Sequence, residues 1–148
     1  MSSRASHNET VKLTRRDFKL LLPMLAAAGA RAQRAPLTSR TYRYEDLPVR
    51  TTEAARSRAV FDGLSLNGFG IEMHETELAA GRAPHPPHHH VHHEMVVIRE
   101  GTLEVMISGR GTTLGPGSVA YIVSNEEHGW KNVGTTVARY YIITLGRT

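Results

Sequence analysis

Seven of the nine histidines lie between His74 and His93, and an eighth, His128, stands alone 35 residues further on. Imidazole is the side chain whose proton affinity sits nearest neutral pH. Its neutral form is also the commonest nitrogen ligand for transition metals. A dense histidine tract can be a loose metal-scavenging segment with no defined geometry, so density by itself assigns nothing. Spacing is more informative. Successive side chains on an extended strand point to opposite faces. An extended segment from His88 to Arg99 would therefore put His88, His90, His92 and Glu94 on one face and His89, Val91 and His93 on the other. Neutral imidazoles with one carboxylate suit Zn, Mn, Fe, Ni or Cu, with ligand distances of about 2.0–2.2 Å in the zinc case. The chain has no cysteine, which removes thiolate ligands and disulfides alike.

These residues need a scaffold that holds them. Thirteen glycines, seven prolines and short runs of Val, Ile and Thr favour strands and turns over helices. From Phe69 onward, runs of strand length alternate with turn residues, as in a sandwich or barrel. The expected strands are Gly70 to Leu78, Glu94 to Arg99, Thr102 to Ile107, Ser118 to Val123, Gly129 to Val133 and Thr136 to Leu145. Glu100 with Gly101, Ser108 to Gly111, Gly115 to Gly117 and Asn132 with Gly134 supply turns. Residues 33–67 read as a polar, arginine-rich lead-in arm, with strand-like pieces at Thr41 to Tyr44 and Arg58 to Phe61. Residues 68–148 read as the barrel domain.

Two motifs in this region resemble those of the cupin superfamily. The first has His88, His90, Glu94 and Gly101 at the family spacing, although Gly81 precedes His88 by one residue more than the pattern has. The second has Gly117, His128 and Asn132 in place, with Val123 for the usual proline and Asn125 for the usual glycine. Asparagine tolerates left-handed backbone better than most residues, so the turn before His128 can survive that exchange. The resemblance covers roughly Gly70 to Leu145. It implies an all-β, antiparallel jelly-roll barrel that holds one divalent transition metal ion (Mn, Fe, Cu, Ni or Zn) with His88, His90, Glu94 and His128. It also implies a small-molecule substrate or ligand, and a homodimer formed through edge strands. His92 falls outside the family pattern and is expected beside the ligands or at the barrel mouth. Asn132 is expected at a turn or strand end.

Residues 1–32 look like an address. Arg15, Arg16 and Phe18 precede a moderately apolar segment through Ala30, too short to span a bilayer, followed by Ala30, Arg31, Ala32. The paired arginines resemble those of twin-arginine signals, which implies export in folded form to the periplasm or beyond, with no membrane anchor after cleavage. The same segment carries the charge. Six of the 18 Lys and Arg residues lie in it against two acids, and the remainder holds twelve of each sign. The net charge of +4 and pI near 9.8 therefore describe the address, and nucleic acid is not an expected partner.

Pocket-lining candidates are Met73, Met95, Met106, Tyr121, Trp130, Tyr140 and Tyr141, with Glu72, Glu75 and Arg139 as the strand-borne groups able to move a proton. No catalytic residue is assigned among them. The expected function is an exported metal-dependent enzyme of oxygenase or isomerase type acting on a small oxygenated molecule. The alternative is a non-catalytic metal- or ligand-binding protein of the same fold. Amino-terminal sequencing of the exported protein is expected to begin at Gln33, and a chain that still begins at Met1 contradicts the address.

Overall fold

Every second residue of the segment from His93 to Glu100 is buried: Glu94, Val96 and Ile98 point inward. That alternation is the signature of a sheet with a core on one side. The computed structural model describes residues 34–147, so the expected signal segment and its helix lie outside the described residues. The strands are β1 (Val49–Thr51), β2 (Ala55–Leu64), β3 (Phe69–Leu78), β4 (His93–Glu100), β5 (Leu103–Ile107), β6 (Arg110–Leu114), β7 (Val119–Ile122), β8 (His128–Asn132) and β9 (Ala138–Arg147). They form a six-stranded sheet ordered β1-β2-β3-β9-β4-β7 and a three-stranded sheet ordered β6-β5-β8, with all named strand pairings antiparallel. The architecture is the expected all-β jelly roll.

The core joins the two sheets. Leu78, Val96, Ile98, Ala120, Ile122, Ala138, Tyr140 and Ile142 come from the larger sheet, and Leu103, Val105 and Trp130 come from the smaller. Each fully buried Leu, Ile or Val stabilises the fold by about 1.5–3 kcal/mol relative to leaving it exposed. A polar tie crosses the same core: Trp130 Nε1–H donates to the Tyr140 hydroxyl at 2.8 Å, with the rings edge to face.

Three differences from the sequence reading have clear causes. The expected arm supplies β1 and β2, and β2 pairs along almost its whole length with β3. Its charged residues hid it, because Arg58, almost fully buried, is paired on the sheet's outer face with Glu77 at 2.5 Å and lies 3.6 Å from Glu75. Thr41 to Tyr44 forms no strand and leads into a turn of 3-10 helix at Tyr44–Asp46. β6 was not expected, and its first two residues, Arg110 and Gly111, were read as turn, since its four exposed residues give no alternation to detect.

Turn residues behave as their backbone demands. Gly101, between β4 and β5, has φ +80, and a Cβ there would lie 2.6 Å from the Ala138 Cα. Asn132, wholly buried, acts as a three-way clasp. Its amide nitrogen donates to the carbonyls of Leu78 (2.9 Å) and Thr136 (2.8 Å), while its Oδ1 accepts from the Gly134 N–H (3.0 Å). Asn132→Ala leaves these buried groups unpaired and should cost roughly 2–4 kcal/mol. Urea denaturation monitored by Trp130 fluorescence checks this, with Thr135→Ala as an exposed control expected to fall within about 0.5 kcal/mol of the parent.

Candidate metal centre

Three stretches of chain build the site. His128 opens β8, Glu94 is the second residue of β4, and His88 and His90 lie in the segment that leads into β4. That segment is not one extended strand. Its regular part starts at His93, and His88 is held instead by an isolated antiparallel bridge to His128, with both N–H···O bonds at 2.9 Å. The backbone bends between His88 and His93, so strand parity does not govern the directions of His88, His90 and His92. The bend is pinned twice. Pro87 packs against Gly129, where a Cβ would lie 3.2 Å from the proline Cα, and the Asn125 N–H donates to the His90 carbonyl at 2.7 Å. Asn125 does so from a left-handed turn, φ 62, as its place in the second motif requires.

The side chains converge. Among the described residues, His88, His90 and His128 each offer a ring nitrogen, and these atoms all lie within 4.8 Å of one another. Glu94 joins them: its Oε2 is 3.1 Å from His90 Nε2 and its Oε1 is 3.6 Å from His128 Nε2. Second contacts fix the rings. His128 Nδ1–H donates to the Glu126 carbonyl (2.8 Å) and His90 Nδ1–H to the His92 carbonyl (3.1 Å). A carbonyl can only accept, so in the neutral rings both Nε2 lone pairs are turned toward the carboxylate. Lone pairs facing a carboxylate in a buried site are unfavourable unless a proton or a cation lies between them. His128 Nε2, Glu94 Oε1 and His88 Nδ1 are buried without a hydrogen-bond partner. Three imidazole nitrogens and one carboxylate of this kind fit a divalent transition metal.

The other histidines separate. His92 is not aimed by strand parity. Its ring lies over Gly146 and beside that of His90, and its carbonyl orients His90. His89 is exposed, and His93, on the face opposite Glu94, is half-buried and hydrogen-bonded to Tyr121 at 2.8 Å. His85 packs edge-on against His88 with ring centres 4.3 Å apart.

Beside the cluster lies a cavity of about 290 Å³ whose lining includes Arg50, Ser57, His74, Thr76, Trp130 and Tyr140. It meets the cluster through His85 and through Trp130, which stacks on His128 with ring centres 6.2 Å apart. Of the expected lining residues, Trp130 and Tyr140 are there. Met73, Met95 and Tyr141 alternate with the inward residues of their strands and so lie on the outer face of the larger sheet, and Met106 does the same on β5. Tyr121 is 54% exposed. Burial pushes the Tyr140 hydroxyl up to about 12, against hydrogen bonds with Trp130 and Thr76 that act to lower it, and it stays protonated. The ionisable candidates also divide. Glu75 binds Arg99 (3.1 Å) and Arg139 binds Glu100 (2.7 Å) on the outer face, whereas Glu72 shares the inward face with His74. Ser57 and Arg50 had no signal in the sequence, because they lie on parts of β2 and β1 that were read as an arm, whereas Thr76 lies on an expected strand and was not singled out.

Residues 74–144 match the Cupin domain family. No curated protein is close enough in sequence to match the chain. Solved structures with the same fold include KdgF from a Halomonas species (16% identity, TM-score 0.65, 75% of this chain and 96% of that one). Others are the polyketide cyclase RemF from Streptomyces resistomycificus (18%, 0.58, 74% and 80%) and a predicted oxalate decarboxylase from Thermotoga maritima (17%, 0.60, 72% and 99%).

One electrostatic consequence of the cluster can be measured without metal. Burial, followed by the neighbouring rings of His85, His128 and His90, holds His88 below the usual histidine value of 6.5. A lowered value means that the ring stays neutral further into acid and takes up its proton only below 6.5. Histidine Cε1–Hε1 NMR of metal-free protein should therefore give His88 a midpoint under 6.5, and a midpoint at or above it contradicts the packing.

Proposed function

We propose that this chain, whose residues 74–144 match the Cupin domain family, is an exported metal-dependent enzyme acting on a small oxygenated molecule. The observation that supports this reading is the convergence of His88, His90, His128 and Glu94 at the edge of a cavity. His88, His90, Glu94 and His128 would hold one divalent ion. When bound, such an ion supplies Lewis-acid polarisation of a carbonyl or, for a redox-active metal, chemistry with dioxygen. The residues of the chain do the rest. The His92 and Glu126 carbonyls keep two imidazoles aimed inward, so little ordering remains to be done when the ion arrives. Trp130 and Ile142 give the cavity apolar walls, and Arg50 sets a fixed positive charge at its rim that favours an anionic ligand.

Folded export fits this reading, because a metal can then be chosen before translocation. The paired arginines at 15 and 16 are its support. Elemental analysis of protein reconstituted with Mn, Fe, Cu, Ni or Zn is expected to give about one equivalent. His88→Ala and His128→Ala should each weaken retention by about 100-fold or more, falling well below one equivalent after dialysis. Unchanged occupancy in both variants excludes the site. Oxygen-uptake and substrate-panel assays on the loaded protein then test turnover.

A further inference from the structure

His74 and Glu72 form a second titratable pair that the metal reading does not use. His74 Nδ1 is 2.6 Å from Glu72 Oε1, and the side chains keep 30% and 23% of their exposure, so the pair is held yet reachable. Strand register places it. Glu72 is opposite Thr144 on β9, and Thr144 is opposite Glu94 on β4. Directly opposed residues share a face, so Glu72 and Glu94 stand in one row on the inner side of the larger sheet. Two strand spacings put their backbones roughly 10 Å apart. His74, one step along the same face, lines the cavity that abuts the histidine cluster.

We propose that His74, positioned by Glu72, is the proton carrier for a ligand in this cavity, and that the ligand is a small carbonyl compound with an acidic C–H next to the carbonyl. This deepens the metal-dependent reading above and rests on it. The pairing with a carboxylate commits Nδ1 as the donor to Glu72, which leaves Nε2 as the basic atom. A carboxylate also stabilises the imidazolium that forms when Nε2 takes a proton. The other cavity groups do not serve as well. Tyr140 accepts from Trp130, Ser57 and Thr76 are paired with each other at 3.3 Å, and Arg50 remains a cation. His85 has only a backbone carbonyl, that of Pro86, for its Nδ1.

The step balances without a co-reactant. Nε2 of His74 takes the proton from the carbon next to the carbonyl, the C–H electron pair becomes the enolate double bond, and the carbonyl π pair moves to oxygen. The imidazolium then returns the proton to the same carbon, which exchanges it with solvent, or to a neighbouring position, which isomerises the ligand. A cavity of about 290 Å³ limits the ligand to metabolite size, at the small end of the usual range of roughly 300–1,000 Å³.

The test uses Zn²⁺-loaded full-length protein in D₂O, with pyruvate and acetoacetate as probes and proton–deuterium exchange read by ¹H NMR. Loaded parent protein should exchange at least one probe about 10-fold or more faster than free Zn²⁺. His74→Ala should lower that rate about 100-fold or more, and Glu72→Ala less severely, while both variants keep the parental zinc content. A second readout does not depend on activity. ¹⁵N NMR should show neutral His74 protonated on Nδ1 in the parent, and shifted toward protonation on Nε2 in Glu72→Ala. Normal zinc uptake without exchange, His74→Ala exchanging like the parent, or an Nε2-protonated ring in the parent overturns the role of His74 alone. A parent that takes up no zinc overturns the metal reading and this role with it.

Discussion

The organisation of this protein depends on one buried carboxylate. Glu94 is 5% exposed and sits where two imidazole nitrogens are turned toward it by hydrogen bonds made on the far side of each ring. Burying a charge without compensation is expensive, and electron-rich atoms facing one another compound the cost. The fold bears this because the groups around Glu94 are arranged for something positive between them. The bridge between His88 and His128, the left-handed turn at Asn125 and the contact of Pro87 with Gly129 all hold that arrangement in place. Each brings a distant stretch of chain to the start of β4.

The larger sheet keeps two kinds of charge apart on its two faces. Its outer face buries Arg58 between Glu75 and Glu77 and lays the guanidinium over the ring of Tyr44, with Arg99 and Arg139 paired nearby. Those charges are neutralised by partners and by packing, and they hold β2 and the segment before it onto the sheet. The inner face carries Glu72 and His74, both part-exposed, with His74 lining the cavity, and the buried Glu94 in the same row. Alternation along β3 sends Glu72 and His74 one way and Glu75 and Glu77 the other, so neighbouring acids do unrelated work.

Much of the barrel could be read from the chain, because hydrophobic alternation is local. The expected strands from Gly70 to Leu145 each correspond to an observed strand within two residues at either end, and Gly101, Gly117 and Asn125 adopt the positive φ that their turns need. Two kinds of strand escaped. Of β2 only Arg58 to Phe61 read as strand-like, because the burial of Arg58 depends on partners elsewhere, and β6 is almost wholly exposed.

By itself the sequence determined which residues could form the cluster. The spacing of His88, His90, Glu94, His128 and Asn132 is a one-dimensional property that two motifs record. Tertiary structure decided how they meet. A bent segment held by backbone bonds replaces the single strand that parity implied, and ring orientation is set by carbonyls of His92 and Glu126 that spacing does not encode. It also decided that Glu72 and His74 share a face and a row with Glu94, whereas Glu75 and Arg139 do not. Register between strands is a long-range choice, fixed by which faces bury the core together, and no local pattern in one strand carries it.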